Sequence, residues 1–374
     1  MSRPRLELVS LVKEYEMDGG QVAAVDGVNL QVAAGETIAL LGPSGCGKST
    51  TLNMIVGLEH PTSGDIHIDG KSIVGVEPGR RNVGLVFQDY AVFPTMTVRQ
   101  NLAFGLEVRR RPKPEIARAV AETAELLGMA DRLDCKARDL GGSELQRVAI
   151  GRTLVTKPAI LLLDEPLSNL DTPARMAMRR ELRRMQSEVG LTIIYVTHDQ
   201  VEALSLADRI AVMRAGKILQ IEETGIICEK PRHVFVASFL GSPPMNLVRG
   251  YVEDGGDGLA FRLGEFRLPL ARNGHGSGGL TCGLHTLGLR PESLRCTAPG
   301  QSPLAGRVVL AEPRGPETVL TVEVGPVQLK IVAPPAGLPG AGQEVGVRVE
   351  PGSLVFFHGD TNQRLDLNLD AEVS

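Results

Sequence analysis

Residues 37–56 read TIALLGPSGCGKSTTLNMIV, an apolar strand-like run, a loop holding Gly42, Gly45 and Gly47, and a second apolar run suited to a helix. A strand that feeds through such a loop into a helix builds one parallel βα unit, so the chain is committed to an α/β sheet with helices on its faces. The glycines let the backbone curl until its N–H groups point inward, where the positive end of the helix dipole favours an anion. Gly42, Pro43, Ser44, Gly45, Cys46, Gly47, Lys48, Ser49 and Thr50 are therefore the candidate phosphate cradle. Lys48 would place a point charge at the β- and γ-phosphates, and the Ser49 hydroxyl would ligate Mg2+. The plainer alternative is a glycine-rich turn with an incidental lysine.

Further apolar runs fit the same sheet: NVGLVF (82–87), AILLLD (159–164) and TIIYVT (192–197) suit strands buried on both faces. ILLLDEP (160–166) ends its strand in two acids. Asp164 is placed to hold the Mg2+ shell, and Glu165 to orient or deprotonate an attacking water; a solubilising loop is the alternative. No Asn-Lys-x-Asp follows, against a GTPase, and SNLD comes directly after the acids, where a small-molecule kinase would need a lid. In the segment after it, Met178, Leu182, Met185 and Val189 share one helical face, and Arg179, Arg180, Arg183 and Arg184 take the other, read as a solvated face.

A chain of 374 residues is long enough for two domains. The α/β pattern runs over 1–240, with a helical subdomain at about 95–150. From Ser242 onward the pattern becomes short alternating strands punctuated by Gly and Pro, as at Val345, Val347 and Val349, which predicts a small β-barrel over 242–374. Forty basic against 44 acidic residues leave a net charge of −4, with no nucleic-acid footprint. The start MSRPRLELVS lacks a signal-peptide core, and no apolar run approaches the ~20 residues that span a bilayer. Five scattered cysteines have no metal spacing and are expected to be reduced thiols.

The order GPSGCGKST, VFQDY (86–90), ELQRVAIGR (144–152), LLLDEPLSNLD (161–171), YVTHDQ (195–200) resembles the ATPase subunits of ABC transporters. VFQDYAVFPTMTVRQNLAFGL (86–106), GSPPMN (241–246) and GLRPESL (288–294) narrow the resemblance to bacterial carbohydrate importers of the maltose and glycerol-phosphate type. It covers nearly the whole chain. It implies a P-loop nucleotide-binding domain followed by an OB-like regulatory domain, with ATP and Mg2+ as ligands. Tyr15 would then stack on adenine, or else pack under the first strands. Gln88 would reach the Mg2+ or the water, and His198 would sit near the γ-phosphate. Ser168, Asn169 and Asp171 would form a loop crossing to a second ATPase subunit. Tyr90, Val92, Phe93 and Pro94 would receive the transmembrane subunit. The chain would lie peripherally on the cytoplasmic face of the membrane, with a solute-binding protein as an indirect partner.

One motif departs from the family. Where the resembling proteins spell LSGGQ, residues 140–144 read LGGSE without insertion. Gly141 removes the hydroxyl that would reach ATP on the opposite subunit, Ser143 restores one two residues later, and Glu144 brings an anion. Gly141, Gly142 and Ser143 remain candidate nucleotide contacts through their backbone. A hydrogen bond to a charged phosphate contributes about 1.5–3 kcal/mol. Two arrangements follow: a homodimer, the commoner form in such families, whose variant tip suffices, or a pairing with another ATPase that supplies the regular motif. Polyamine or ferric-iron import, and a cytosolic ATP-switched regulator binding proteins through its C-terminal domain, are the competing functions.

Overall fold

The computed structural model describes residues 3–17, 20–254, 258–272, 280–367 and 369–371. The chain divides into two compact units, 1–227 and 228–374.

In the first unit, β1 (Leu6–Met17), β2 (Gly20–Val32), β4 (Ser63–Ile68) and β5 (Lys71–Ser72) form an antiparallel sheet in the order β2-β1-β4-β5. The central sheet has the order β10-β9-β3-β8-β7-β6, from β3 (Thr37–Leu41), β6 (Val83–Val86), β7 (Ile160–Asp164), β8 (Thr192–Thr197), β9 (Arg209–Arg214) and β10 (Lys217–Glu223). All its neighbours pair parallel except the β9–β10 edge. Every residue of β3 and β8 is buried, as continuous apolar runs require when both faces are covered. The strands expected at 82–87, 159–164 and 192–197 coincide with β6, β7 and β8. One apolar cluster, with Leu40, Leu52, Leu162 and Val196, fills the side shared with the antiparallel sheet. A second, with Leu102, Val148, Leu163 and Tyr195, fills the side of the helices.

The helices of this unit include α1 (Lys48–Val56), whose apolar residues join the first cluster, and α2 (Val98–Val108), α3 (Lys113–Leu126), α4 (Gly142–Leu154), α5 (Thr172–Val189) and α6 (Gln200–Leu206). On α5 the buried stripe is Met178, Leu182 and Met185. Val189, expected to share it, is 49 % exposed, because the helix stops there against Gly190 in the left-handed conformation (φ 65°). The opposite arginines are not merely solvated. Arg183 donates to Leu206 O and Asp208 Oδ1, both at 3.0 Å, and Arg184 donates to Leu126 O at 2.9 Å, so this face ties α5 to α6 and to the end of α3.

The second unit is β-rich, as the Gly/Pro-punctuated alternation implies. A seven-stranded and a five-stranded antiparallel sheet share one core that includes Phe261, Phe266, Leu320, Val322 and Phe356. The alternating valines behave as read: Val345, Val347 and Val349 are buried, and Arg348 between the last two is exposed.

Candidate nucleotide site

The site gathers at the C-terminal ends of β3, β7 and β8, three neighbours in the parallel sheet, where an open α/β sheet places ligands. The loop after β3 is shaped by two constraints. Gly45 and Gly47 have φ of 75° and 103°, which side chains rarely adopt. A Cβ at Gly42 would lie 2.3 Å from Met213 O, and one at Gly47 2.3 Å from Ala24 O. The loop therefore lies tight against its neighbours and turns backbone rather than side chains toward its open face. The first-turn N–H groups of α1 have no partner within the helix. Together these features fit a phosphate group.

Lys48 is 5 % exposed, and its Nζ donates to Gly42 O at 2.8 Å and Pro43 O at 2.9 Å. The ammonium is thus held at the loop's mouth by the loop's own carbonyls. Ser49 Oγ donates to Asp164 Oδ1 at 3.2 Å, so the hydroxyl at the start of α1 and the acid at the end of β7 meet. A hydroxyl and a carboxylate side by side are the oxygen donors a Mg2+ accompanying a triphosphate takes, so the residues fit the ion. Burial pushes the Asp164 carboxyl above the usual carboxylate range and the Glu165 charge adds to the rise, while the Ser49 hydrogen bond and Lys48 oppose it.

Glu165 adopts φ of 44°, a left-handed conformation that costs a non-glycine residue about 1–3 kcal/mol and clusters at functional sites. Its N–H donates to Val196 O at 3.0 Å, fixing the corner against β8, and its Oε2 lies 3.1 Å from His198 Nδ1. The acid at the end of β7 and the histidine after β8 thus form a pair, with His198 more than half exposed.

Gln88 is exposed beyond β6, and its carbonyl accepts from Asn169 Nδ2 at 3.0 Å. Ser168 Oγ donates to Glu165 O at 2.9 Å, and Asp171 caps α5 by accepting from Ala174 N–H at 2.9 Å. The 168–171 loop therefore bridges the Glu165 corner and the Gln88 segment. Tyr15, 38 % exposed, donates to Glu59 Oε2, with Lys13 Nζ 5.0 Å from its ring centroid. Its ring is an accessible face of the antiparallel sheet rather than a core side chain. Cys46 is 3 % exposed, and burial raises its thiol pKa against the pull of Lys48.

After Gln88, Tyr90 and Ala91 both take left-handed φ, 61° and 50°. Phe93 is pinned on both sides by Asn101, whose Oδ1 accepts from Phe93 N–H at 2.9 Å while its Nδ2 donates to Phe93 O at 3.0 Å. The Phe93 ring packs edge-on against Phe104 and lies under Arg152, whose guanidinium carbon is 4.3 Å from the ring centroid. Tyr90 and Val92 are half-buried on the helical core and Pro94 is exposed.

The variant tip begins α4. Gly141 is the N-cap, with φ −76° and ψ 165°, so Gly142 and Ser143 are the first two helical residues and their N–H groups have no helical partner. Glu144 turns its carboxylate back: Gly141 N–H donates to Oε2 at 3.0 Å, and Oε1 lies 3.4 Å from Arg132 Nε. With glycine at the N-cap, only this arm of a capping box exists. Sequence reasoning missed Arg132, and it missed the buried Tyr195, Thr197 and Glu202 with the part-exposed Arg175 behind His198. The short spacing of His198, Asp199 and Glu202 was the only signal for the latter.

A glycine-cradled loop, a buried lysine, a hydroxyl-carboxylate pair and an acid-histidine pair at one sheet edge define a P-loop nucleotide hydrolase. The ABC transporter family profile matches residues 25–168, and those of the MalK OB fold domain and the TOBE domain match 241–294 and 287–357. The chain is 43 % identical over 365 residues to an sn-glycerol-3-phosphate import ATP-binding protein of Rhizobium johnstonii, covering 96 % of this chain and 99 % of that one. It is 44 % identical over 323 residues to the trehalose/maltose import ATP-binding protein of Thermococcus litoralis, covering 82 % and 86 %. Among solved structures, it is similar to the ATP-binding cassette MJ0796 in a dimeric post-hydrolysis state bound to ADP and Pi, with TM-score 0.53, 30 % identity, 59 % of this chain and 98 % of that chain. The chain belongs to the ABC transporter family, among the ATP-binding subunits of importers, and it is an ATPase. No helix among the described residues is long and apolar enough to cross a membrane.

Proposed function

We propose that this ATPase drives import of a small polar solute of the glycerol-phosphate or sugar class, working as a homodimer on the cytoplasmic face of the membrane beneath separate permease subunits. The observation that carries the solute class is identity above 40 % to importer subunits for glycerol phosphate and for disaccharides along most of the chain. Two domains serve this role: the nucleotide-binding domain over 1–240, and a regulatory domain over 242–374.

In this reading adenine stacks on Tyr15, which needs no base-specific bond because stacking suits any purine face. Residues 42–50 receive the phosphates, with Lys48 turned from its loop carbonyls toward the β- and γ-oxygens. Ser49, Asp164 and Gln88 would hold a Mg2+ brought with ATP, which supplies neutralisation of the phosphate charge. Glu165 accepts a proton from water as the water oxygen bonds to the γ-phosphorus. The bond from that phosphorus to the bridging oxygen breaks, and ADP and phosphate result. His198, beside Glu165, orients the acid and meets the γ-phosphate. Gly142 and Ser143 of one copy face the nucleotide of the other, and the Tyr90–Pro94 segment passes closure to the permease.

The test is phosphate release by the chain copurified with its permease subunits in lipid vesicles. The reading expects severalfold stimulation by a binding protein loaded with glycerol phosphate or a sugar. Stimulation only by a polyamine- or iron-loaded binding protein would contradict the solute class, and failure to copurify with any permease would contradict the importer role.

A further inference from the structure

Behind the Glu165–His198 pair lies a charged cluster that the proposed mechanism leaves unused. Glu202, on α6, is 3 % exposed. It accepts hydrogen bonds from Tyr195 OH at 3.0 Å and Thr197 Oγ1 at 2.8 Å, both from β8. Asp199, next to His198, accepts from Val201 N–H at 2.7 Å and Glu202 N–H at 3.1 Å through Oδ1, capping α6, and its own N–H donates to Thr197 Oγ1 at 2.9 Å. His198 therefore sits on a short segment held from both sides.

Arg175 reaches this segment from the first turns of α5. One terminal nitrogen donates to Leu170 O at 3.1 Å, in the loop after the catalytic acids. The other lies 3.7 Å from Asp199 Oδ2, and Nε lies 3.6 Å from Glu202 Oε1. Nε is buried without a hydrogen-bond partner. Among the described residues the guanidinium thus stands at ion-pair distance from two carboxylates while hydrogen-bonding neither, and it hydrogen-bonds the 167–170 loop. A cavity of about 80 Å³ is lined by Glu165 and His198 together with Arg175, Asp199 and Glu202. The Arg175 side chain is about one-third exposed, Glu202 is buried, and charge-assisted hydrogen bonds to carboxylates are among the strong ones, so a small shift of the 167–170 loop would let Arg175 close onto Asp199 and Glu202.

We propose that Arg175 is a positioning residue for hydrolysis: by linking the 167–170 loop to the Asp199–Glu202 segment, it sets the orientation of His198 against Glu165 when that loop moves. The inference rests on the reading of Glu165 and His198 as the hydrolytic pair. It assigns Arg175 no contact with nucleotide, so nucleotide affinity and turnover must separate. The planar fork bonds one carbonyl while facing two carboxylates at ion-pair distance, and a lysine cannot reproduce that geometry.

The experiment uses the full chain with Arg175→Ala, Arg175→Lys and Glu202→Gln, and with Glu165→Gln and His198→Gln as references. Binding of trinitrophenyl-ATP is expected to stay within twofold of the parent. The turnover number should fall about 10–100-fold in Arg175→Ala, less in Arg175→Lys, and recover in part when guanidinium ion is added to Arg175→Ala. The imidazole resonance of His198, assigned from its loss in His198→Gln, should shift in Arg175→Ala. Parent turnover in Arg175→Ala, or an equal loss of affinity and turnover, would overturn the proposal. If Arg175→Ala does not fold, the same split must appear in Arg175→Lys, and parent turnover there overturns it equally. Should Glu165→Gln and His198→Gln retain full turnover, it is the underlying reading of the hydrolytic pair that fails.

Discussion

Restoring a hydroxyl at Gly141 tests whether the variant tip of α4 limits the enzyme. Gly141 has φ −76° and ψ 165°, a conformation open to any residue, and a Cβ built there meets only Glu144 Oε2, at 3.9 Å. Serine therefore enters without strain and without displacing the Glu144 carboxylate that accepts the Gly141 N–H at 3.0 Å. The new hydroxyl has two uses. It can cap the helix by accepting the Glu144 N–H, worth a few tenths of a kcal/mol over glycine, or it can donate to a phosphate oxygen on the facing subunit. The second is worth about 1.5–3 kcal/mol, or roughly 10–150-fold at about 1.4 kcal/mol per factor of ten. Because capping competes, Gly141→Ser is expected near the lower end, about a tenfold rise in kcat/KM for ATP, read as phosphate release by the purified chain over a series of protein concentrations. Adding Ser143→Gly should leave that rise in place. An unchanged or lower kcat/KM in Gly141→Ser, with ATP still bound, would show instead that the backbone and Ser143 already supply the contact.

Cys46 is buried and its thiol pKa raised, so maleimide is expected to modify the exposed Cys282 first; modification of Cys46 should quicken with rising pH, slow with ATP bound, and stop hydrolysis, as mass spectrometry and phosphate release would report. Asp164→Asn should abolish hydrolysis yet raise the melting temperature at pH 7: the folded carboxyl has a raised pKa, so its stabilising contribution is present when protonated and lost as pH rises through that pKa. The gain over the parent should vanish below the carboxylate range, and a lower melting temperature at pH 7 would count against it. Arg81, 3 % exposed, donates to Val76 O at 2.8 Å, Met54 O at 2.7 Å and Ile55 O at 3.0 Å; Arg81→Ala should destabilise the first unit by about 3 kcal/mol in urea denaturation, through the loss of charged hydrogen bonds.

The parts legible in the sequence are those governed by local rules. β3, β7 and β8 were readable because strands covered on both faces must be apolar without interruption, and the loop after β3 because glycine spacing and the following helix act over a dozen residues. Periodicity places Val189 on the helical face of Met178, Leu182 and Met185, but it does not show that the last residue of α5, next to Gly190, is left exposed. The arginine face looked solvated because the carbonyls and Asp208 that receive it come from segments far along the chain. Glu202 shows the same limit more sharply: a carboxylate in an amphipathic stretch reads as surface, and only the fold brings Tyr195, Thr197 and Arg175 around it. Likewise Glu144 looked like an unopposed anion until Arg132, twelve residues earlier, came within 3.4 Å.

Completion of each site by a second copy of this chain is tested by the mass of the Glu165→Gln chain alone, by light scattering, as ATP is added. Slowed hydrolysis should trap the closed state, and the account predicts conversion from monomer to a dimer holding two ATP molecules, reversed by Lys48→Ala. A chain that stays monomeric at saturating ATP, and pairs only when a different ATPase subunit is supplied, would contradict it.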